Sequence, residues 1–237
     1  NVLDLSAIRS LRGITERAGH WRIGATTTWT ELIEAPLPPL FDGLKRAARE
    51  VGGMQIQNRA TIAGNLCNAS PAADGIPPLL ALDAQVEIAS AAGSRRIALD
   101  EFVVSNRRTA LGPGELATAV IVPRPKADAR SHFLKLGTRK YLVISIVMAA
   151  ATIEQRDGKV RAARIAVGAC SPVARRLPAL EAALEGRRLD ARLGDAASAS
   201  HLEPLAPIDD VRASRGYRIE AALTLVRRTL EQLGAMA

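Results

Sequence analysis

Aromatic residues make up only 3% of the 237 residues, and there are just two cysteines, Cys67 and Cys170, and three histidines, His20, His132 and His201. Each shortage removes a class of function. Two thiolates are too few for an iron–sulfur cluster, which takes four, and neither cysteine stands at zinc-site spacing. The histidines are isolated from one another, so each reads as a surface or hydrogen-bonded residue and not as a metal ligand. Nothing marks the chain as secreted, so both cysteines are expected to be reduced and the protein cytoplasmic. The longest apolar run, Val143 to Ala151, is broken by Ser145 and falls far short of the roughly 18 residues that cross a bilayer, so no membrane span is expected. The opening Asn1-Val2-Leu3-Asp4-Leu5 has no initiator methionine and no signal-peptide pattern. It reads as the middle of a strand and implies that chain precedes it.

The net charge is +8, carried mostly by arginine, with pairs at 95–96, 107–108, 175–176, 187–188 and 227–228. A basic balance raises nucleic acid as a partner. The shortage of aromatic stacking platforms and the scatter of the arginines argue against it. A solvated arginine surface is the favoured reading, and an acidic cofactor phosphate or acidic protein partner comes second.

Local patterns locate elements. A strand is predicted over Trp21–Ala25. Thr28-Trp29-Thr30-Glu31 fits a capping box, and Pro36, Pro38 and Pro39 end the helix it begins. A second helix carries Phe41, Leu44, Ala48 and Val51 on one face and ends at Gly52-Gly53. Strands are predicted at Val86–Ala89 and Arg95–Leu99 around Ala92-Gly93, and at Leu116–Val122. The polar stretch 123–130 is the best linker candidate. Beyond it, strands are predicted at Phe133–Leu136, Ser145–Glu154 and Lys159–Ala169, the last two joined at Asp157-Gly158. Helices follow at Ala174–Leu184, at Leu189–Ala199 and from about Tyr217 to Leu233, the last with Ile219, Leu223, Val226, Leu230 and Leu233 in one stripe. Strands followed by helices argue an α+β class.

Residues 54–75 (MQIQNRATIAGNLCNASPAADG) differ in kind. They show neither strand nor helix periodicity and read as a long irregular segment, which inside a compact domain is usually functional. Ser70-Pro71 looks like a helix start, continued by a helical turn from Pro77 to Leu82. In Thr61-Ile62-Ala63-Gly64-Asn65, small residues would let backbone approach a ligand, and successive amides could form an anion-binding concavity. Asp74, acceptor-only when ionised, would suit sugar or ribityl hydroxyls. The residues alone leave two readings open: a site for a phosphorylated, polyhydroxylated cofactor, or a plain turn with Ser70 and Asp74 capping and solvating a helix.

The stretch RATIAGNLCNASPAADGIPPLLALDAQVEI closely resembles the flavin loop of the FAD-binding (medium) subunits of molybdenum hydroxylases, the xanthine and carbon monoxide dehydrogenase family. RIGATTTWTEL, RTALGPGELATAVIVP, FLKLGTRK and GACSPVARRLPALEAALEG extend the resemblance along essentially the whole chain, in the family's order. The resemblance implies an FAD-binding domain of the PCMH (vanillyl-alcohol oxidase-like) type over 1–125. A smaller domain over 131–237, with a three-stranded antiparallel sheet and helices, follows it.

It further implies that Thr61, Ile62, Ala63, Gly64 and Asn65 wrap the FAD diphosphate and that Ser70 lies near the flavin. Asp74 would bond cofactor hydroxyls, Leu116 and Val51 would pack against the cofactor, and Lys135 would place a cation near the flavin. Without a cofactor, Leu116 and Val51 are core residues and Lys135 a solvated strand residue. Ala63 stands where the family pattern has glycine, which strains the backbone if φ is positive. The family's earlier glycine-rich turn is absent, so the N-terminal segment is expected to be missing.

The implied assembly is a heterotrimer: a large molybdenum–pterin subunit, a small subunit with [2Fe–2S] clusters, and this flavoprotein passing electrons to NAD or another acceptor. The alternative is an apo fragment or scaffold that docks partner subunits without FAD.

Overall fold

The computed structural model describes residues 3–236. In chain order come β1 (Ile14–Arg17), β2 (His20–Gly24), α1 (Trp29–Glu34), α2 (Asp42–Glu50), α3 (Met54–Gln57), α4 (Ile62–Asn68) and α5 (Ile76–Ala81). Then follow β3 (Gln85–Ser90), β4 (Gly93–Ala98), α6 (Leu99–Phe102), β5 (Val103–Ser105), β6 (Arg108–Thr109) and β7 (Leu116–Pro123). The C-terminal part holds β8 (Asp128–Leu136), β9 (Val147–Arg156), β10 (Lys159–Gly168), β11 (Arg175–Arg176), α7 (Pro178–Leu184) and α8 (Arg215–Ala235). The first part builds an antiparallel sheet in the order β1-β2-β7-β3-β4, with β5 and β6 as a separate small ribbon. The second builds an antiparallel sheet in the order β11-β10-β9-β8.

Several local signals act as expected. Thr28 caps α1: the Glu31 N–H donates to its hydroxyl at 3.3 Å, and the Thr28 N–H donates to the Glu31 carboxylate at 2.8 Å. The helix stops because the residue before Pro36 is pushed to extended geometry, and Ala35 has ψ 137°. Gly52 ends the α2 region in the left-handed conformation at φ 56°. Asp157 and Gly158 both have positive φ, as a two-residue turn between β9 and β10 requires.

β9 lies between two packed layers. Its even-numbered residues Met148 and Ala150 join Phe133, Ala47 of α2 and Ala81 of α5 in one cluster. Its odd-numbered residues Val147, Ala149, Ala151 and Ile153 face a second core with α7 and α8. The apolar run noted in the sequence is therefore largely a central strand covered on both faces. Close approach on the first face needs glycine. A Cβ on Gly43 would lie 2.9 Å from the Ser131 hydroxyl, and one on Gly168 would lie 2.6 Å from Met148 and 2.7 Å from Pro77. Ser131 ties the layers directly: its hydroxyl donates to the Leu40 carbonyl at 2.6 Å and accepts from the Gly43 N–H at 2.8 Å.

Other expectations are revised. Leu3–Leu5 is irregular, not strand, and Asn1 and Val2 lie outside the described residues. β1 was not anticipated, because three of its four residues are exposed and no apolar alternation marks it. Residues 54–75 contain α3 and α4, and α5 starts at Ile76 with Pro77 and Pro78 in its first turn, not at Ser70-Pro71. The Ser70 hydroxyl instead accepts from the Ala72 N–H within a turn. The linker shrinks to 124–127, since β8 begins at Asp128. The three expected C-terminal strands gain a fourth, two-residue edge strand: Arg175 and Arg176 pair with Val167 and Ala166, so the following helix begins only at Pro178. The helix expected at Leu189–Ala199 is reduced to a 3₁₀ turn at Leu193–Ala196.

His132, on β8, is buried at 2% exposure, and its Nδ1 has no partner. Burial, and secondarily the Arg46 cation, pushes its imidazole down to about 4 from 6.5. The unfolded chain therefore takes up a proton here below pH 6.5 that the folded chain refuses until about pH 4. Its contribution to stability is full above that window and is lost as pH falls through it. His132→Gln is expected to lose less stability than wild type between these limits, by on the order of 2–3 kcal/mol, read from urea unfolding at each pH. Parallel profiles would show that another group titrates.

Candidate cofactor cavity

A cavity of about 340 Å³ opens where the two sheets' elements meet. Its polar side is set by Glu50 at the end of α2, by Asn65 of α4 and by Asp74, in the turn before α5. Its apolar side is set by Val51 at the end of α2 and by Leu142, Val143 and Ile144 of the β8–β9 loop. The size falls within the ~300–1,000 Å³ of small-molecule sites, and the mix of apolar walls with few polar groups is typical of them.

Asp74 is the best-held group here. It is 7% exposed. Its Oδ2 accepts from Lys135 Nζ at 2.6 Å and its Oδ1 from the Ser145 hydroxyl at 2.6 Å. Lys135 is equally buried and also donates to the Glu50 carbonyl at 3.3 Å. Burial pushes the Asp74 carboxyl above its usual range, while Lys135 and Ser145 pull it back. An ammonium has three N–H donors, so Lys135 keeps one beyond these two bonds.

Asn65 supplies the complementary observation: its Oδ1 is buried with no hydrogen-bond partner. Buried polar atoms are seldom left so. It is packed against Gly75, where a Cβ would lie 2.8 Å from that oxygen and 2.6 Å from the Trp29 ring.

The segment 61–65 is a helix start, not the open turn expected. Thr61 caps α4, its hydroxyl accepting from the Gly64 N–H at 3.2 Å. The Ile62 N–H donates to Thr27 O at 3.0 Å, Ala63 N–H to Ala25 O at 3.3 Å and Asn65 N–H to Thr61 O at 3.1 Å. The expected row of free amides is therefore replaced by amides already paired within the chain. Ile62 and Ala63 face the core, and Gly64 faces outward. Ala63 is helical, with no positive φ, so its methyl is accommodated without backbone strain.

Ser70 lines a neighbouring cavity of about 370 Å³ with Ser145, Ser171, Asp210 and Arg218. The two cavities share Ala72 and Ile144. Leu116, half-buried opposite Ala89 in the five-stranded sheet, lines neither. Val51, Asn65, Asp74 and Lys135 are thus brought together, and Leu116 is not. The sequence reading missed Ser145 and the loop 142–144, which carry no motif beyond the break Ser145 makes in an apolar run.

The buried pair makes a testable energetic claim. Removing one partner strands a buried charge at a cost of about 3–5 kcal/mol. Asp74→Ala and Lys135→Met are each expected to lose that much. The double variant should lose at least about 1 kcal/mol less than their sum, read by denaturant unfolding. Simple additivity would show the two groups to be uncoupled.

Comparison with known proteins places these features in a family. Residues 1–125 match the family described as FAD binding domain in molybdopterin dehydrogenase. Residues 132–233 match the CO dehydrogenase flavoprotein C-terminal domain. The chain is 31% identical to the xanthine dehydrogenase FAD-binding subunit of Escherichia coli O157:H7, over 100% of this chain and 82% of that protein. Its fold is similar to a chain of reconstituted CO dehydrogenase from Oligotropha carboxidovorans, with TM-score 0.89 and 29% identity, covering 99% and 82% of the two chains. It is also similar to a chain of quinoline 2-oxidoreductase from Pseudomonas putida 86, with TM-score 0.87 and 28% identity, covering 98% and 80%. With both family domains in order along a chain whose two halves meet at the Asp74–Lys135 pair, the protein belongs to the FAD-binding subunits of the molybdenum hydroxylases.

Proposed function

We propose that this chain is the flavin-bearing electron-transfer subunit of a molybdenum-containing hydroxylase. In this reading it stands between [2Fe–2S] clusters on a small partner subunit and NAD or another acceptor. Substrate is hydroxylated at the molybdenum–pterin centre of a large partner subunit. The relatives named above act in xanthine, CO and quinoline oxidation, so the type of assembly, and not one substrate, is what the likeness supports. Residues 1–125 would form the FAD-binding domain and 131–237 the C-terminal domain of the flavin subunit. The location proposed is the cytoplasm, in keeping with two unbridged cysteines. Among the described residues no helix is long and apolar enough to cross a membrane.

The observation that carries the reading is the buried Asp74–Lys135 pair, whose Asp74 lines the cavity together with Asn65. The residues fit the ring-bearing part of FAD: an apolar wall, a fixed charge pair at its edge, and the Asn65 amide in the lining. When bound, FAD supplies the redox chemistry, and the protein positions and tunes it. Val51 and Leu142 to Ile144 would cover the bound ring with apolar surface. Asp74 has lone pairs left for hydroxyl donors, and Lys135, bonded to Asp74 at 2.6 Å, holds positive charge behind it, where it favours added negative charge nearby. Thr61 to Asn65 and Ser70 would border the remainder of the cofactor. Leu116 acts at most from the sheet behind α4.

Titration of the flavin-free protein with FAD, followed by flavin fluorescence, tests the site. Asn65→Ala is expected to weaken FAD by about tenfold, the scale of one hydrogen bond. Glu231→Ala on α8, remote from the cavity, should leave affinity unchanged. Equal losses would refute the assignment, and an assembled enzyme carrying no flavin would leave only a docking role.

A further inference from the structure

A single carboxylate holds both ends of one loop. β8 ends at Leu136 and β9 starts at Val147, and the Ile146 N–H closes the loop base on the Leu136 carbonyl at 2.7 Å. Lys135 lies just before this loop and Ser145 just before its return. Both donate to Asp74, one to each oxygen, at 2.6 Å. Between them the loop carries Leu142, Val143 and Ile144, the apolar wall of the cavity.

Ser145 itself is 2% exposed. An ionised carboxylate only accepts, so the Ser145 hydroxyl must donate. With a different donor on each oxygen, the carboxylate plane is fixed. Without the hydroxyl, Oδ1 loses its partner and the carboxylate is free to rotate until both oxygens face Lys135. The ammonium would then be drawn more completely into the pair, and its field in the cavity would weaken. Ser145 also lines the neighbouring cavity, so it is the wall residue through which that space meets the charge pair.

We propose that Ser145 is a positioning residue of the flavin site, fixing the Asp74 carboxylate at the cavity wall so that Lys135, behind it, is not wholly neutralised and its charge is felt in the cavity. The proposal rests on the flavin reading above. It concerns how the site is tuned, and Ser145 need not touch the cofactor.

The test compares holoenzyme containing wild-type subunit, Ser145→Ala and Ser145→Thr. Flavin content is measured first. The ratio of reduced to oxidised flavin is then read at equilibrium with a reference dye. Ser145→Ala is expected to retain flavin and to move that ratio toward the oxidised form by about threefold or more, as loss of one hydrogen bond to a charged group implies. Ser145→Thr, which keeps the hydroxyl, should restore the wild-type ratio. Should Ser145→Ala fail to assemble, Ser145→Cys, a weaker donor of similar size, is read in its place, with a smaller shift in the same direction. A wild-type enzyme that holds flavin and whose ratio neither variant changes overturns the role of Ser145 and leaves the flavin reading standing. So does a shift that threonine does not reverse. A wild-type enzyme with no flavin overturns the flavin reading, and this proposal with it.

Discussion

The Asp74–Lys135 ion pair is the constraint on which the site depends. Removing two charges from water costs several kcal/mol per ion, and that cost is recovered only with short, well-directed bonds on every side. Here the bonds come from both halves of the chain. Asp74 belongs to the turn before α5, while Lys135 and Ser145 belong to β8 and the approach to β9. Neither half can satisfy its own charge, so the cavity they border exists in this form only when the two sheets are docked.

Docking in turn depends on small side chains. Ala47, Ala81 and Ala150, with Gly43 and Gly168, let α2 and α5 settle against the four-stranded sheet. Cores are packed to nearly crystalline density, and an added methyl at such a contact must displace a neighbour. The Ser131 hydroxyl satisfies two backbone groups of the α2 entry that the contact would otherwise leave unpaired. The closeness of this seam sets the distance across which Lys135 reaches Asp74.

What the sequence made legible were interactions between near neighbours. The Thr28–Glu31 cap, the Asp157-Gly158 turn and the stripe of the last helix are written in spacings of one to four residues, and all three form. What it hid were pairings between distant segments. Arg175 and Arg176 look like the start of a helix until β10 offers them an edge, and β1 is a strand only because β2 pairs with it. Asp74 could be singled out as a carboxylate near a small-residue segment, but its partners lie 61 and 71 residues away, and no local pattern announces them. For the same reason the amides of Ile62 and Ala63 could be read as free, since their acceptors, Thr27 and Ala25, sit on the far side of α2 in sequence.

The arginine surplus also takes on a structural meaning at α5. That helix has an aspartate on either side, and each is met by cations from the four-stranded sheet: Asp74 by Lys135, Asp83 by Arg164 and Arg176. The two ends are not equal. Asp83 has a side chain 43% exposed, where ion pairs contribute about 0–1 kcal/mol and weaken with salt. Arg164 and Arg176 are further shared with Glu154 and Glu181, so the outer end is a distributed network that tolerates the loss of one member. Asp74 is buried, has one cation, and leaves that cation stranded if it is lost. The clamp is therefore spread over several part-exposed charges at the Asp83 end of α5 and rests on one buried pair at the Asp74 end.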